Sequence, residues 1–500
     1  MNIKRLHLLL LTLILIVGFA VRVYGLDKNP YGFFCDEAAI GYNAYTILLT
    51  GKDEYGVSYP FFFRSFGEYK SPVAIYAAVP FIQLLGLSEL SVRLQSVLFG
   101  MITLLMVYLA TKELFSKNIA LLSVAIAATM PWLIHYNRTG FELNSYTALF
   151  TATVYLLLKA AKQKSYIIPA FLVSTLTLYT YYSAKLIVPL FVIGFLIIYG
   201  KKIFAHKKEM ALSGMLFLIL SIPFILSFLN GEGTARFNEV SVFSAKLSFS
   251  DSLLRIINNY FFQLSPTLFL KGEPTFITRH FTGGLTPLLI VTIPFFYIGI
   301  VSLLHTWKKK SSRLLLWWLL LYPIGAAVAA EPPFTGRTVI GAPLSAILIS
   351  LGIVTVVRLA KKYVPRHVSF GIIAGALAVN FVFFLQFYFI RYPLYSADFW
   401  GWQAGPSEIV QYFEENKSNY DEEFMIGQFN APYIFFRFYA PYGCEKCKLG
   451  EPHTSYNPQL RQLFAVSPHY LKSHPEIRFA AKKFIYYPNN KVAFIIGEVN

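Results

Sequence analysis

The stretch "NIKRLHLLLLTLILIVGFAVRVYGLDKNPYGFFCDEAAIGYNAY", residues 2–45, decides how the whole chain is read. Its apolar run, 7–24, is long enough to cross a hydrocarbon layer about 30 Å thick. The following "VRVYGLDKNP" lacks the small-residue cleavage pattern of a secretory leader, so the run is expected to be a retained span. Just beyond it, where the chain leaves the bilayer, two carboxylates stand side by side, Asp36 and Glu37.

Working outward, the rest of the chain repeats the first theme. Of 500 residues, 56% are hydrophobic, 17% aromatic and only 14% charged. A soluble domain carries about 25% charge, so a soluble protein with one large core is excluded. Eleven apolar segments emerge, roughly 7–24, 92–112, 118–135, 143–160, 166–183, 185–200, 210–229, 286–305, 314–330, 338–357 and 367–390. The net charge of +18 is unevenly spread. One set of connectors, from Lys4-Arg5 to "RLAKKYVPRH", carries 19 Lys or Arg. The short connectors of the other set, "HYNRTGFE", "YYSAK" and "EPPFTGR", hold one each. The sets alternate, which places the N-terminus in the cytoplasm and the C-terminus outside. The surplus charge is therefore an orientation signal, and no nucleic-acid partner is expected. The apolar stretch "SPVAIYAAVPFIQLLG" is read as an interfacial helix, because a crossing there would reverse the alternation.

The expected fold is an all-α polytopic membrane protein of about eleven transmembrane helices over residues 1–390. It has a first outer loop at 25–91 containing interfacial helices and a second large outer loop at 230–285. A small extracytoplasmic α/β domain is expected at 391–500. There "GPSEIVQYFEEN" reads as helix, and "KKFIYYPNNKVAFIIGEV" as two strands around a turn at Asn489-Asn490. Cys444 and Cys447 form a C-x-x-C without the second ligand pair usual in a zinc site. Disulfide, free thiols, metal and redox chemistry stay open there.

The outer connectors gather the residues with chemistry. The first loop brings Asp36, Glu37, Asp53, Glu54, Glu68 and Lys70. Later loops bring Arg138 and Glu142, Lys185, Arg279 and His280, and Glu331 and Arg337. Each has a structural reading too. Acids favour a helix N-terminus, Arg138 and Glu142 stand at a helix-pair spacing, and Lys185 suits an interface anchor. Together, carboxylates and cations at the lip of a helical bundle suit a phosphate-bearing lipid whose tail stays in the bilayer. If the lipid carries a sugar, cations stabilise the departing phosphate. One carboxylate, with Asp36 the candidate base, accepts the acceptor's proton. The competing reading is a lipid-sugar flippase or other transporter. It is disfavoured because the ionisable residues gather at one face and not at the midplane.

In order, "CDEAAIGYNAY", "GEYKSP" and "PWLIHYNRTGFELN" resemble the polyprenyl-phosphate-dependent GT-C glycosyltransferases, above all the protein O-mannosyltransferase and lipid A aminoarabinose transferase group. The resemblance covers residues 1–390 in layout and mainly 1–145 in motif. It implies an inverting glycosyltransferase with Asp36 as catalytic base, and Glu37 and Glu142 binding the acceptor or orienting the site. Lys70, Arg138 and Arg337 would meet the donor phosphate or sugar, and Lys185, taken from its place among the outer loops, is assigned to the same set. The implied donor is a polyprenyl-phosphate sugar, the acceptor a protein, lipid or glycan, and the location the plasma membrane. No essential cofactor or cation is implied. The related oligosaccharyltransferases do use a cation held by carboxylates, and Asp36 with Glu142 or Glu331 would be the corresponding set. Two departures stand out: "KSP" replaces K-P-P, and "EPPFTGR" lacks the histidine of many relatives.

Overall fold

The computed structural model describes residues 3–500 apart from 235, 236, 238, 239, 245, 246, 332, 333, 428 and 430. Its first helix, α1 (Ile3–Val23), is followed by α2 (Cys35–Thr50), a hairpin of β1 (Phe63–Ser65) and β2 (Glu68–Lys70), and α3 (Pro72–Leu85). Then come α4 (Glu89–Leu114), α5 (Lys117–Thr129), α6 (Pro131–Asn137), α7 (Leu143–Ala160), α8 (Ile167–Thr177), α9 (Ala184–Ile203) and α10 (Lys207–Leu229). The second half holds α11 (Phe249–Phe262), α12 (Pro266–Lys271), α13 (Ile293–His305), α14 (Lys310–Leu321), α15 (Gly341–Ala360) and α16 (Arg366–Gln386).

Among the described residues, six helices are long and apolar enough to cross a bilayer: Lys4–Val23, Glu89–Leu114, Ala184–Ile203, Lys207–Leu229, Gly341–Ala360 and Arg366–Ser396. A seventh is added if α5 and α6, bent by 57°, count as one span. Met130 causes that bend: a residue before proline is pushed from helical to extended backbone, here φ −74° and ψ 123°. Each of the eleven expected segments contains helix, but several are short, broken or rich in Thr and Tyr. The chain is a multi-pass membrane protein. Burial separates its inner and outer helices. Only 11% of the α1 window and 17% of the α10 window are covered by protein, against 61% for α4 and 72% for α15. Apolar helices left this bare are solvated by lipid. α13 and α15 meet so closely that no side chain fits at Gly299 or Gly352, each lying against the other helix's backbone.

Beyond α16 the chain builds α17 (Pro406–Asn416), β3 (Glu422–Met425), α18 (Tyr433–Tyr439), β4 (Cys447–Leu449), β5 (Gln462–Val466), β6 (Phe479–Tyr486) and β7 (Val492–Val499). The strands form one mixed sheet in the order β4-β3-β5-β7-β6. β6 and β7 pair antiparallel as the hairpin read from the sequence, with Asn490 at φ 62° in its turn. Cys444 and Cys447 are joined as a disulfide. α18 seats on α2. Arg437 meets Glu54 at 2.6 Å, Tyr439 donates to Glu89 on α4 at 2.7 Å, and the Phe438 ring packs 4.7 Å from Phe33.

Candidate active site

Asp36 and Glu37 both lie in the first turn of α2, where the helix dipole favours negative charge. They then diverge. Glu37 has no solvent exposure and is gripped by Arg93 of α4, whose Nε and second guanidinium nitrogen donate to its two oxygens at 3.0 and 3.3 Å. Glu37 also accepts from the backbone N–H of Phe34 at 3.2 Å and of Gly140 at 2.7 Å. The remaining Arg93 donors reach the carbonyls of Leu26, Pro30 and Gly32. This cluster ties the loop after α1, the start of α2 and the loop before α7 into one body. Asp36 turns the other way, one-third exposed, into a cavity of about 480 Å³.

Lys70 reaches Asp36 from the end of β2, with Nζ 2.9 Å from the carboxylate and 3.6 Å from Glu68. The two-residue turn that aims it has Phe66 at φ 52° and Gly67 at φ 86°, the double left-handed pattern that matches the twist of a tight hairpin. Burial alone draws an ammonium's pKa down. Asp36 first, then Glu68 and Glu142, outweigh that and hold Lys70 above the ordinary lysine range. Glu142, at the mouth of α7, accepts from the Ser71 N–H at 2.5 Å and so fixes the backbone next to Lys70. Loss of hydration pushes its carboxyl up to about 7, with Lys70 opposing.

The far wall is cationic. Arg279, in the loop before α13, stacks 3.6 Å over the Phe34 ring and donates to the Gly401 carbonyl at 3.4 Å. Arg337, in a short turn before α15, donates to the Tyr182 hydroxyl at 2.9 Å and pairs with Glu331. Among the described residues, each has one buried guanidinium nitrogen without a partner, Nε of Arg279 and Nη1 of Arg337. Both side chains line the cavity, so this wall suits an anion. Glu273 supports the Arg337 turn, accepting from the backbone and hydroxyl of Thr335, both at 2.7 Å. Burial pushes its carboxyl up to about 7.

One wall comes from residues that loop reading did not single out. Phe399, Trp400 and Gln403 line the cavity although they follow the expected division at 390. Gln403 accepts from the Cys35 N–H at 3.1 Å, one residue before Asp36. It holds φ 56°, a conformation that side-chain-bearing residues rarely adopt. His280 lines the cavity and is hydrogen bonded to His135 at 3.1 Å, which in turn meets the Tyr388 hydroxyl at 3.2 Å. Burial and the neighbouring Arg279 keep His280 well below the usual histidine range, so it is neutral at physiological pH.

Residues 69–226 match the family model described as dolichyl-phosphate-mannose-protein mannosyltransferase. No curated protein sequence matches the chain. Among solved structures, ArnT from Cupriavidus metallidurans bound to undecaprenyl phosphate superposes with a TM-score of 0.58 at 11% identity, over 99% of this chain and 98% of that one. An Archaeoglobus fulgidus oligosaccharyltransferase tethered to an acceptor peptide superposes with a TM-score of 0.57 at 14% identity, over 98% and 74%. The chain shares the GT-C fold of these proteins.

Within that GT-C fold the structure sorts the residues singled out from the sequence. Asp36, Glu68, Lys70, Glu142, Arg279, His280, Glu331 and Arg337 share the cavity. Glu37, Arg138 and Lys185 are not among its lining residues. Glu37 is spent on Arg93. Arg138 caps the end of α1, donating to the carbonyls of Val21, Arg22, Gly25 and Asn29 at 2.7–3.0 Å, so its charge serves the helix dipole and not a ligand in this cavity. Lys185 lies among the rings of Phe62, Phe224 and Phe228, 5.1–5.7 Å from their centres. Asp53 caps its own turn, accepting from Tyr55 and Val57. As a cation site, Asp36, Glu142 and Glu331 fit poorly. Each is engaged by a separate donor, and among the described residues their oxygens do not converge on one point.

Proposed function

We propose that the protein is an inverting glycosyltransferase that moves a sugar from a polyprenyl-phosphate donor to an acceptor at the extracytoplasmic face. One observation carries the reading: a single cavity holds an accessible acid beside a lysine, and is lined by two arginines. Their positive charge suits a phosphate, and a planar guanidinium suits its oxygens. The related fold of ArnT, solved with undecaprenyl phosphate, supports a lipid-linked donor.

Breaking the sugar–phosphate bond builds negative charge on the departing oxygen. Arg279, Arg337 and Lys70 meet that charge as fixed cations that need no reorganisation. The acceptor, a hydroxyl or amine, is a weak nucleophile until its proton is taken, and Asp36 is the base. One displacement inverts the anomeric carbon. The phosphate is already a good leaving group, so no separate acid is required. Glu142 holds the backbone beside Lys70 and so positions that cation. No cofactor or metal enters this scheme. The positive connectors support a cavity outside a plasma membrane, with the N-terminus in the cytoplasm.

The test supplies purified protein with polyprenyl-phosphate sugars and membrane extract, and measures lipid phosphate released and sugar transferred. Turnover by the wild-type chain that collapses in Asp36→Asn supports the proposal. Equal rates in both remove Asp36 from the chemistry, and lipid movement without sugar release points to a transporter.

A further inference from the structure

Far from the cavity, the tail buries a carboxylate without an obvious reason. Glu423 on β3 has no solvent exposure, and its Oε1 has no hydrogen-bond partner among the described residues. Its Oε2 lies 3.9 Å from Sγ of Cys444 and 3.9 Å from Sγ of Cys447. Sulfurs joined in a disulfide carry no protons to donate. In the oxidised protein the acid therefore has no donor among the described residues, an arrangement that costs stability.

We propose that Glu423, Cys444 and Cys447 form a binding site for a soft divalent cation of the zinc class when the cysteines are reduced. Zinc–sulfur and zinc–oxygen bonds of about 2.3 and 2.1 Å at tetrahedral angles put sulfur and oxygen about 3.6 Å apart. The observed spacing of 3.9 Å to both sulfurs is close to that. The sulfurs themselves must part to about 3.8 Å, which the C-x-x-C spacing allows. Two thiolates and one carboxylate leave the loaded site with one surplus negative charge. Around Glu423, Glu414 acts as a like charge and Lys446 and Lys417 as opposing ones. The fourth position is left to water, since among the described residues no other His, Cys, Asp or Glu joins the cluster.

Opening the site needs a dithiol. It gives two electrons and two protons to the Cys444–Cys447 bond, becoming a disulfide itself and leaving two thiols. Each thiol then loses its proton to water as its sulfur binds the cation, so loading releases two protons. The location gives the site a purpose. Cys444 follows the end of α18 by five residues, and Cys447 begins β4. The cation ties the turn that follows α18, at Cys444, to β4 through Cys447 and to β3 through Glu423.

The experiment uses full-length protein in detergent, reduced with dithiothreitol, freed of it without oxygen, and titrated with cobalt(II). Wild type is expected to bind one cobalt per chain with a thiolate-to-cobalt charge-transfer band that zinc abolishes. The oxidised protein and Cys444→Ser lose the band, and Glu423→Gln weakens binding at least about tenfold, the scale seen for lost metal-site partners. A reduced wild type that keeps its melting transition yet shows no band overturns the proposal. So does wild-type affinity in Glu423→Gln. If reduction itself abolishes the transition, zinc must restore it, and failure to do so also overturns the site.

Discussion

Glu37 and Arg93 form an ion pair with no solvent exposure on either side chain, their closest atoms 3.0 Å apart, one residue along from the acid that faces the cavity. Removing one partner of such a pair strands the other charge, which costs about 3–5 kcal/mol. Arg93→Met and Glu37→Gln are therefore expected to lower the unfolding midpoint sharply, in line with lost stability of about that size. Asp36→Asn takes one partner from the buried Lys70 but leaves Glu68 3.6 Å from its Nζ, so the loss of stability is expected to be smaller than for Glu37→Gln. Its expected effect is on turnover, a loss of about 10²–10⁴-fold. Melting curves and donor turnover on the three variants separate the twin acids. An Asp36→Asn as unstable as Glu37→Gln would contradict the division of labour.

Arg337 offers the next contrast. Its Nε and one terminal nitrogen are held by Tyr182 and Glu331, which fixes its planar charge at the cavity wall. Lysine keeps the charge but cannot hold both partners in that planar geometry. Arg337→Lys is expected to lower kcat/KM for the lipid-linked donor by about 10²–10³-fold, the scale of losing one preorganised donor to a transition-state charge. Arg279→Lys is expected to behave alike. Steady-state kinetics with varied donor give the measurement, and an unaltered kcat/KM would take these nitrogens out of the anion site.

Much of this arrangement is legible in the sequence because charge in a lipid-facing chain is scarce. The loop acids and cations that converge, from Asp36 to Arg337, all lie in connectors between apolar runs. What reading by loops missed sits inside the runs. Arg22 and Arg93 fall within expected spans, and an ionisable residue there signals a buried partner. Arg22 donates to Asn137 at 2.8 Å, and Arg93 holds Glu37. Arg138 is a different case. Its spacing to Glu142 fits a helix pair, yet the chain between them turns, and Arg138 goes to the carbonyls ending α1. Spacing records distance along an assumed helix, not whether the helix is there. The contribution of Gln403 and Trp400 had no signal, because a long-range contact from a loop leaves no periodicity.

The pH dependence of stability follows from Glu273. Its carboxyl is pushed up to about 7 in the folded protein by burial, with the Thr335 hydrogen bonds pulling the other way. In the unfolded chain it titrates near about 4.3. The folded state thus holds the proton more tightly. This contribution to stability is fully present below the unfolded value and is lost as pH rises through about 7. The wild-type protein is expected to melt lower at pH 8 than at pH 6. Glu273→Gln keeps an acceptor for Thr335 without the charge, so its melting temperature should depend less on pH over that range. Identical profiles would show that Glu273 does not titrate there.

Gln403 is the tail's direct hold on the site. Its side chain accepts the Cys35 N–H, one of the first N–H groups of α2 and so without a partner inside the helix. Gln403→Leu strands that donor, at a cost of about 1–3 kcal/mol, and frees the turn that aims Asp36. The base then spends less time in line with the acceptor, so kcat is expected to fall while KM for the donor holds. Gln403→Glu keeps an acceptor and should recover the stability. It also adds a negative charge beside Asp36 in a cavity that binds phosphate, so its penalty should shift to a raised donor KM that high salt partly relieves. If both variants lower kcat alone, Gln403 acts only as a prop for α2; if neither changes the kinetics, the tail does not govern the position of Asp36.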